Sequence, residues 1–276
     1  MTTTAEIISI GDELLYGQTL DTNAHWISHK LDEYNIKVFQ RTTIGDDADQ
    51  ILNAFATAAE RVDIVLITGG LGPTKDDLTK PLLAKYFGVG MVHHEEVLRD
   101  ITLLFAKASR EVTALNAQQA DLPANCEKIT NPVGTAPGMW FYENNTVFVA
   151  MPGVPYEMKS IMTQGILPKL HEMFSKGVLH HHIIKTIGIT ESSLSDLIED
   201  WEVNLPKHIK LAYLPTKGQV KLRMTGSGDD LNTLKQEIDT LQMAIMPKIA
   251  KYVYGFGVDS LEGVIGQLLN KNNLTL

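Results

Sequence analysis

The sequence predicts an α/β protein in which a larger domain built on a mainly parallel sheet precedes a smaller α+β domain of split-βαβ order. Three observations carry this expectation. Short β-rich runs alternate with helical periods through the first half, the pattern of a parallel sheet with helical crossovers. Ile64-Val65-Leu66-Ile67 is a continuous apolar run, as suits a central strand covered on both faces. From His181 onward the order of elements changes to β-α-β-β-α-β.

Taken in order, Ile7, Ile8 and Ile10 form a strand that ends at Gly11. Ile27, Leu31 and Tyr34, at i, i+4 and i+7 after Asp21 and Thr22, make one apolar helix face. Val38 to Thr42 is the next strand, and Asp47 with Gln50 three residues on resembles a capping box for a helix whose stripe is Ile51, Phe55 and Ala58. The central run leads straight into Thr68-Gly69-Gly70-Leu71-Gly72-Pro73. Leu78, Leu82, Leu83 and Phe87 mark a helix whose start Lys80-Pro81 pins near Leu78 or Thr79, because proline is tolerated only in a first turn. Val97, Ile101 and Leu104 mark another helix, Thr146 to Ala150 a strand, and Val154 to Phe174 a long helix with Pro155 near its first turn. Beyond that come a strand at His181 to Gly188, a helix at Glu191 to Trp201, and a hairpin (Ile209 to Leu214, Gln219 to Thr225) turning at Lys217-Gly218. A helix at Asp229 to Met246, a strand at Lys251 to Tyr254 and a short helical pattern at Leu261, Ile265 and Leu268 complete the chain.

A length of 276 residues favours two domains, and 44% apolar with 21% charged residues excludes wholesale disorder. No apolar run approaches the ~18 to 20 residues needed to cross a bilayer, and the start MTTTAEIISIGDE has no signal-peptide pattern. A soluble, cytoplasmic protein without membrane contact is expected. Cys126 is the single cysteine, which excludes an internal disulfide and argues against structural zinc. The net charge of −9 belongs wholly to residues 1–172, with 13 Lys+Arg against 22 Asp+Glu, while the remainder has 11 of each. Such a domain is a poor binder of nucleic acid, whose affinity comes mainly from basic side chains. If it binds phosphates, backbone amides or a metal must do the work.

The most informative segment is Thr68-Gly69-Gly70-Leu71-Gly72-Pro73-Thr74-Lys75-Asp76-Asp77-Leu78-Thr79, between a buried strand and a helix. Its glycines let amides approach a ligand closely, and the helix start favours negative charge, so the segment suits phosphate. It is neither a Walker loop nor a dinucleotide fingerprint. In the plainest reading it is a tight turn in which Asp76 or Asp77 caps a helix. A second acidic turn, Gly11-Asp12-Glu13, leaves the first strand at its C-terminal end, and in a parallel sheet both turns face one crevice. Carboxylates beside a phosphate call for a hard cation between them. The segments 131–138 and 151–157, rich in proline and glycine, border strands at the same edge. His93-His94 and His180-His181-His182 lack metal-ligand spacing, and Trp140 and Trp201 suit core or interface positions.

Together GDELLYGQTLDTN (11–23), TGGLGPTKDDLT (68–79), NAQQADLP (116–123), NPVGTAPGM (131–139), MPGVPYEM (151–158) and TIGITESSL (186–194) resemble, in order and spacing, the amino-terminal part of the CinA family (competence/damage-inducible protein A). The resemblance implies a three-layer molybdopterin-binding-like domain over 1–174, a KH-like or ferredoxin-like domain over 175–255, and at 256–276 a linker to a carboxy-terminal deamidase domain whose Thr-Ala-Glu-Ser-Cys-Thr-Gly-Gly motif the sequence lacks. No G-x-x-G loop, the RNA-clamping element of true KH domains, occurs in the second domain.

The activity implied is metal-dependent hydrolysis of ADP-ribose to AMP and ribose 5-phosphate. The expected cation is Mg2+ or Co2+, with K+ as a further candidate, held by some of Asp12, Asp76 and Asp77. Glu13 or the activated water would act as base, while the amides of Gly69, Gly70 and Gly72 hold non-bridging oxygens. The expected nucleotide-binding set adds Gly11, Asn23, Thr74, Thr79, Asn131, Gly134, Thr135, Pro152, Gly153 and Glu157. Two other functions remain open at this stage: adenylyl transfer to, or metal insertion into, a pterin dithiolene, and a non-catalytic nucleotide sensor or assembly module. The implied partner is a second copy of the chain, alongside a small nucleotide substrate.

Overall fold

Residues 3–74, 76–174 and 177–274 are described in the computed structural model. The chain divides into two units, residues 1–175 and 176–276. Ser175 and Lys176, at the expected domain boundary, lie outside the described residues.

The first unit opens with β1 (Thr4–Ile10), a one-turn helix α1 (Asp12–Leu15) and α2 (Thr22–Glu33), followed by β2 (Lys37–Ile44) and α3 (Ala48–Ala59). Next come β3 (Ile64–Thr68), α4 (Thr79–Phe87), β4 (Met91–His93), α5 (Glu95–Lys107), a turn of helix α6 (Ala114–Ala117), β5 (Asp121–Pro123) and β6 (Glu127–Ile129). The unit closes with β7 (Gly138–Glu143), β8 (Thr146–Met151), α7 (Pro155–Ile161) and α8 (Leu167–Phe174). Six strands form one sheet in the order β2-β1-β3-β8-β7-β6. The pairs β1/β2, β1/β3 and β3/β8 are parallel, and β7 is antiparallel to both β8 and β6. A separate two-stranded ladder pairs β4 with β5.

Three layers follow from the alternation of side chains across the sheet. Ile8, Val65, Ile67, Phe141 and Phe148 pack under Ile51, Phe55 and Ala58 of α3, Leu83 of α4, and Val97 and Ile101 of α5. Ile7, Ile64, Leu66, Val147 and Val149 pack against Ile27 and Leu31 of α2 and Met158 and Ile161 of α7 on the other face. All five residues of β3 are buried, as its unbroken apolar run predicts. Trp140 is buried on the second face. Glu6 of β1 is the charged exception within this core. It is fully buried, and Arg61 meets it with two 2.7 Å hydrogen bonds while Thr42 Oγ1 donates at 2.6 Å.

Local sequence explains most boundaries. Asp21 and Asp47 cap α2 and α3 by accepting from Ala24 N and Gln50 N, and α4 begins at Thr79, with Pro81 in its first turn. The long helix expected from Val154 to Phe174 is interrupted by a π-turn at Met162–Ile166. Pro168, just beyond, has no amide hydrogen to donate back into the regular ladder, which favours the wider turn. Leu98 and Phe105 add the further apolar contacts of α5, whereas Leu104 is half-exposed outside the core.

The second unit contains β9 (Val178–Ile187), α9 (Glu191–Glu202), β10 (Ile209–Thr216), β11 (Gln219–Gly228), α10 (Leu231–Ile249), β12 (Val253–Phe256) and α11 (Leu261–Lys271). Its sheet runs β10-β11-β9-β12 with every neighbouring pair antiparallel, the arrangement expected of a β-α-β-β-α-β chain. Leu194, Ile198, Leu234, Ile238, Ile245 and Ile249 of α9 and α10 cover Ile184, Leu222 and Met224 on one sheet face. Among the described residues no helix is long and apolar enough to cross a membrane.

Candidate functional site

The C-terminal ends of β1, β3 and β8 lie side by side, and the segments that leave them line one cavity of about 530 Å³. From β1 come Gly11 and Glu13, from β3 Gly69, Gly70, Gly72, Asp76 and Asp77, and from β8 Pro152, Gly153 and Glu157. Thr135 belongs to the 131–138 segment and lines the same space.

The glycine loop is shaped by close backbone contacts. Gly69 has φ 109°, and a Cβ there would sit 2.1 Å from the Ile10 carbonyl oxygen, so no side chain fits where β3 passes β1. Its amide donates to the Met151 carbonyl at 3.1 Å, which joins the loop to the end of β8. Thr79, fully buried, donates from Oγ1 to the Gly69 carbonyl at 2.8 Å and from N to the Gly70 carbonyl at 3.1 Å. Thr74 donates to Asp77 Oδ2 from its amide at 2.9 Å and its hydroxyl at 2.5 Å. Asp77 therefore closes the turn as well as lining the cavity, which joins the plain capping reading to the functional one. Lys75 of this loop lies outside the described residues. Asp76 is exposed at the rim.

The acidic turn after β1 is arranged differently from the expectation. Asp12 Oδ1 accepts from the Asp46 amide at 3.3 Å, and the Asp12 amide donates to Asp46 Oδ2 at 3.2 Å. Asp12 is thus tied to the turn after β2 and is outside the cavity lining, where Asp46 stands with Glu13. Burial raises the Asp46 carboxyl above its ordinary range, and the negative charges of Asp12, Glu13 and Asp77 push the same way against the hydrogen bond from Asp12. Sequence reasoning missed Asp46, whose place beside Glu13 depends on the parallel pairing of β1 with β2. Gln119, inside the NAQQADLP segment that carries the resemblance but not among the expected site residues, also lines the cavity from the turn before β5.

Asn23, Asn131, Gly134, Thr74 and Thr79 are outside the lining of the larger cavity, and Thr74 is exposed. Asn23 Nδ2 donates to Thr68 Oγ1 at 3.1 Å and to the Gly153 carbonyl at 2.7 Å, and its Oδ1 is buried without a partner. Asn23 lines a smaller adjoining cavity of about 90 Å³, shared with Glu13 and Gly153. Asn131 Nδ2 donates to Glu157 Oε2 at 2.7 Å and to the Ala136 carbonyl at 2.9 Å, and Gly134 packs directly on the Glu157 carboxyl. Burial lifts Glu157 above the usual carboxylate range, opposed by the Asn131 hydrogen bond.

Among the described residues no three His, Cys, Asp or Glu side chains converge as a ready metal cluster, so Asp12, Asp76 and Asp77 do not form a closed trio. Oxygen-only donors that repel one another still suit a hard cation, provided water or ligand oxygens complete its shell.

A three-layer sheet with a glycine loop and facing carboxylates at its C-terminal edge defines a molybdopterin-binding-like domain. A model for a probable molybdopterin binding domain matches residues 6–172, and a damage-inducible protein CinA KH domain model matches 181–255. The chain belongs to the CinA family. It is 49% identical over 272 residues to a CinA-like protein of Cytophaga hutchinsonii, covering 99% of this chain and 65% of that one. A Flavobacterium psychrophilum CinA-like protein is 44% identical, with 99% and 66% covered. The crystal structure of a CinA protein from Thermoplasma acidophilum superposes with TM-score 0.55 at 33% identity, over 63% of this chain and 98% of that one. The chain spans about two thirds of the length of these two CinA-like relatives.

Proposed function

We propose that the first unit hydrolyses the pyrophosphate of ADP-ribose to AMP and ribose 5-phosphate with the help of a divalent cation. The observation that carries this reading is that Gly69, Gly70 and Gly72 share the lining of one cavity with Glu13, Asp46, Asp76 and Asp77. Its volume of about 530 Å³ suits a nucleotide-sized ligand. Glycine amides alone would serve any anion, whereas carboxylates alone would repel one. The pairing makes sense for a diphosphate that arrives with a hard cation.

Mg2+ or Co2+ would be held by Asp76 and Asp77 with Glu13 or Asp46, and K+ is a further candidate near the phosphates. Such a cation neutralises diphosphate charge and acidifies a water molecule. The chain's own groups do the rest. The amides of Gly70 and Gly72 hold non-bridging oxygens as charge builds on them, whereas the Gly69 amide, expected from the sequence to join them, is taken by the Met151 carbonyl. Glu13, in α1 just past β1 and lining both cavities, accepts the proton of the attacking water. Thr135, Pro152 and Gly153 wall the cleft and keep bulk water from the diphosphate.

The match to a probable molybdopterin binding domain supports a second reading, in which the same cleft transfers adenylate to a molybdopterin or inserts a metal into it. A turnover screen separates the two. Purified chain is offered ADP-ribose, other nucleoside diphosphate sugars, or ATP with molybdopterin, each with Mg2+, Mn2+ or Co2+. AMP release from ADP-ribose supports hydrolysis, and an adenylated pterin supports the second reading. Tight ADP-ribose binding without turnover under every metal leaves a nucleotide sensor.

A further inference from the structure

The cleft contains a polar side chain that the fold itself leaves unused. Gln119 is only 2% exposed, yet it lines the large cavity, and its Nε2 is buried with no hydrogen-bond partner. Buried donors are almost always satisfied, and leaving one unmatched is costly. The backbone around it is firmly held. Thr113 and Asn116 form a capping box at the head of this segment. Lys80 Nζ donates to the Gln118 carbonyl at 3.0 Å, and the His94 amide donates to the Ala120 carbonyl at 2.9 Å. The backbone that carries this donor is therefore held at the cavity wall, within reach of a ligand there.

Chemistry narrows what that partner is. Besides Gln119, the polar side chains lining the cavity among the described residues are Thr135 and the carboxyl groups of Glu13, Asp46, Asp76, Asp77 and Glu157, with no Lys, Arg or His. Glycine amides and a cation already answer the diphosphate. A carboxamide instead offers a neutral donor beside an acceptor, the complement of the N7 edge of adenine, where N7 accepts next to the 6-amine that donates. We infer that Gln119 is the specificity-determining residue for the nucleobase and pairs with adenine in the nucleotide bound by this cleft. The inference rests on the nucleotide reading proposed above. At the N7 edge hypoxanthine carries a carbonyl where adenine carries the amine, so there it presents two acceptors to Gln119 and loses one bond. A site built to make a hydrogen bond discriminates strongly against a ligand that cannot complete it.

The test is calorimetric binding of AMP, IMP and ribose 5-phosphate to the full chain, as wild type and as Gln119→Leu, with ADP-ribose hydrolysis by wild type measured separately. Wild type should bind AMP about tenfold or more tightly than IMP. Gln119→Leu should lose about tenfold in AMP affinity and bring AMP and IMP within about twofold of each other, while ribose 5-phosphate binding stays unchanged. Its melting temperature should hold or rise, because an unmatched donor has been removed. Gln119→Met, of similar length, gives the same result where the leucine variant folds poorly. An unchanged AMP-to-IMP ratio in either variant overturns the inference. So do equal losses for all three ligands, or no AMP binding to wild type. Loss of base discrimination together with a wild type that fails to hydrolyse ADP-ribose sinks the proposed reaction and leaves the Gln119 assignment standing.

Discussion

Thr79 Oγ1 donates to the Gly69 carbonyl at 2.8 Å, so the first residue of α4 holds the glycine that begins the loop ten positions earlier. The tie fixes the width of the loop and hence where its amides point. Thr79→Val keeps the shape but strands a buried carbonyl, at an expected cost of about 1–3 kcal/mol in urea unfolding. Turnover should fall about tenfold or more as the loop relaxes. Thr79→Ser, which retains the hydroxyl, should stay close to wild type in both measurements. Equal stability and activity in the valine variant would show that the loop keeps its form without this bond.

Asp76 and Asp77 differ in a way that makes their alanine variants informative together. Asp77 accepts two hydrogen bonds from Thr74, whereas Asp76 is exposed at the rim of the cavity. Asp76→Ala should leave the melting temperature unchanged and reduce metal-dependent turnover. Asp77→Ala should lower both, by about 0.5–2 kcal/mol in stability for the lost turn closure. At least one of the two should lose ~10²-fold or more in kcat. Wild-type turnover in both variants removes them from the cation site.

Asp46 should make stability depend on pH in an unusual direction. Its folded carboxyl is raised above the ordinary value, chiefly by burial and then by Asp12, Glu13 and Asp77. The fold therefore disfavours the ionised form. That penalty is present above the folded pKa and disappears as pH falls below the unfolded one. Asp46→Asn should melt higher than wild type at pH 7 in metal-free buffer, and the difference should vanish in acid. A constant difference across the titration would mean that charge is not its origin.

Local signals were strong enough to place most of the fold. The stripe Ile51, Phe55 and Ala58 is buried as its spacing implies, and Pro81 fixes the start of α4. The β7–β8 hairpin was passed over although Asn144 and Asn145, with φ 52° and 64°, are the residues such a turn favours. The short strands β4, β5 and β6 carry three residues each, too few for a period-2 pattern to be read. In the site, loop glycines and acidic pairs were legible because they are contiguous in sequence. Asp46 was not, since it reaches the cavity through the pairing of β1 with β2, and Gln119 was legible only as part of the 116–123 segment, its place at the cavity depending on the fold. Asp12 illustrates the converse: an acidic residue beside the right strand can still be spent on bracing a neighbouring turn.

The last helix should contribute little to either unit. No residue of α11 is buried, and Ile265 and Leu268 are 42% and 54% exposed. A helix of this length is marginal in water by itself. The contacts that secure the segment come before it: Asp259 accepts from Lys185 Nζ through its carbonyl, and from the Phe256 amide at 2.8 Å through its carboxylate. Truncation after Ser260 should therefore leave the melting temperature and ADP-ribose turnover unchanged. Truncation after Gly257 removes Asp259 and should destabilise the second unit by about 1–3 kcal/mol, the cost of a lost charge-assisted bond. Amide exchange in 261–271 of the full chain should be fast, and the expected homodimer should persist in sedimentation without those residues. A monomeric product, or slow exchange across α11, would mean that its apolar face is covered in solution by a second copy of the chain.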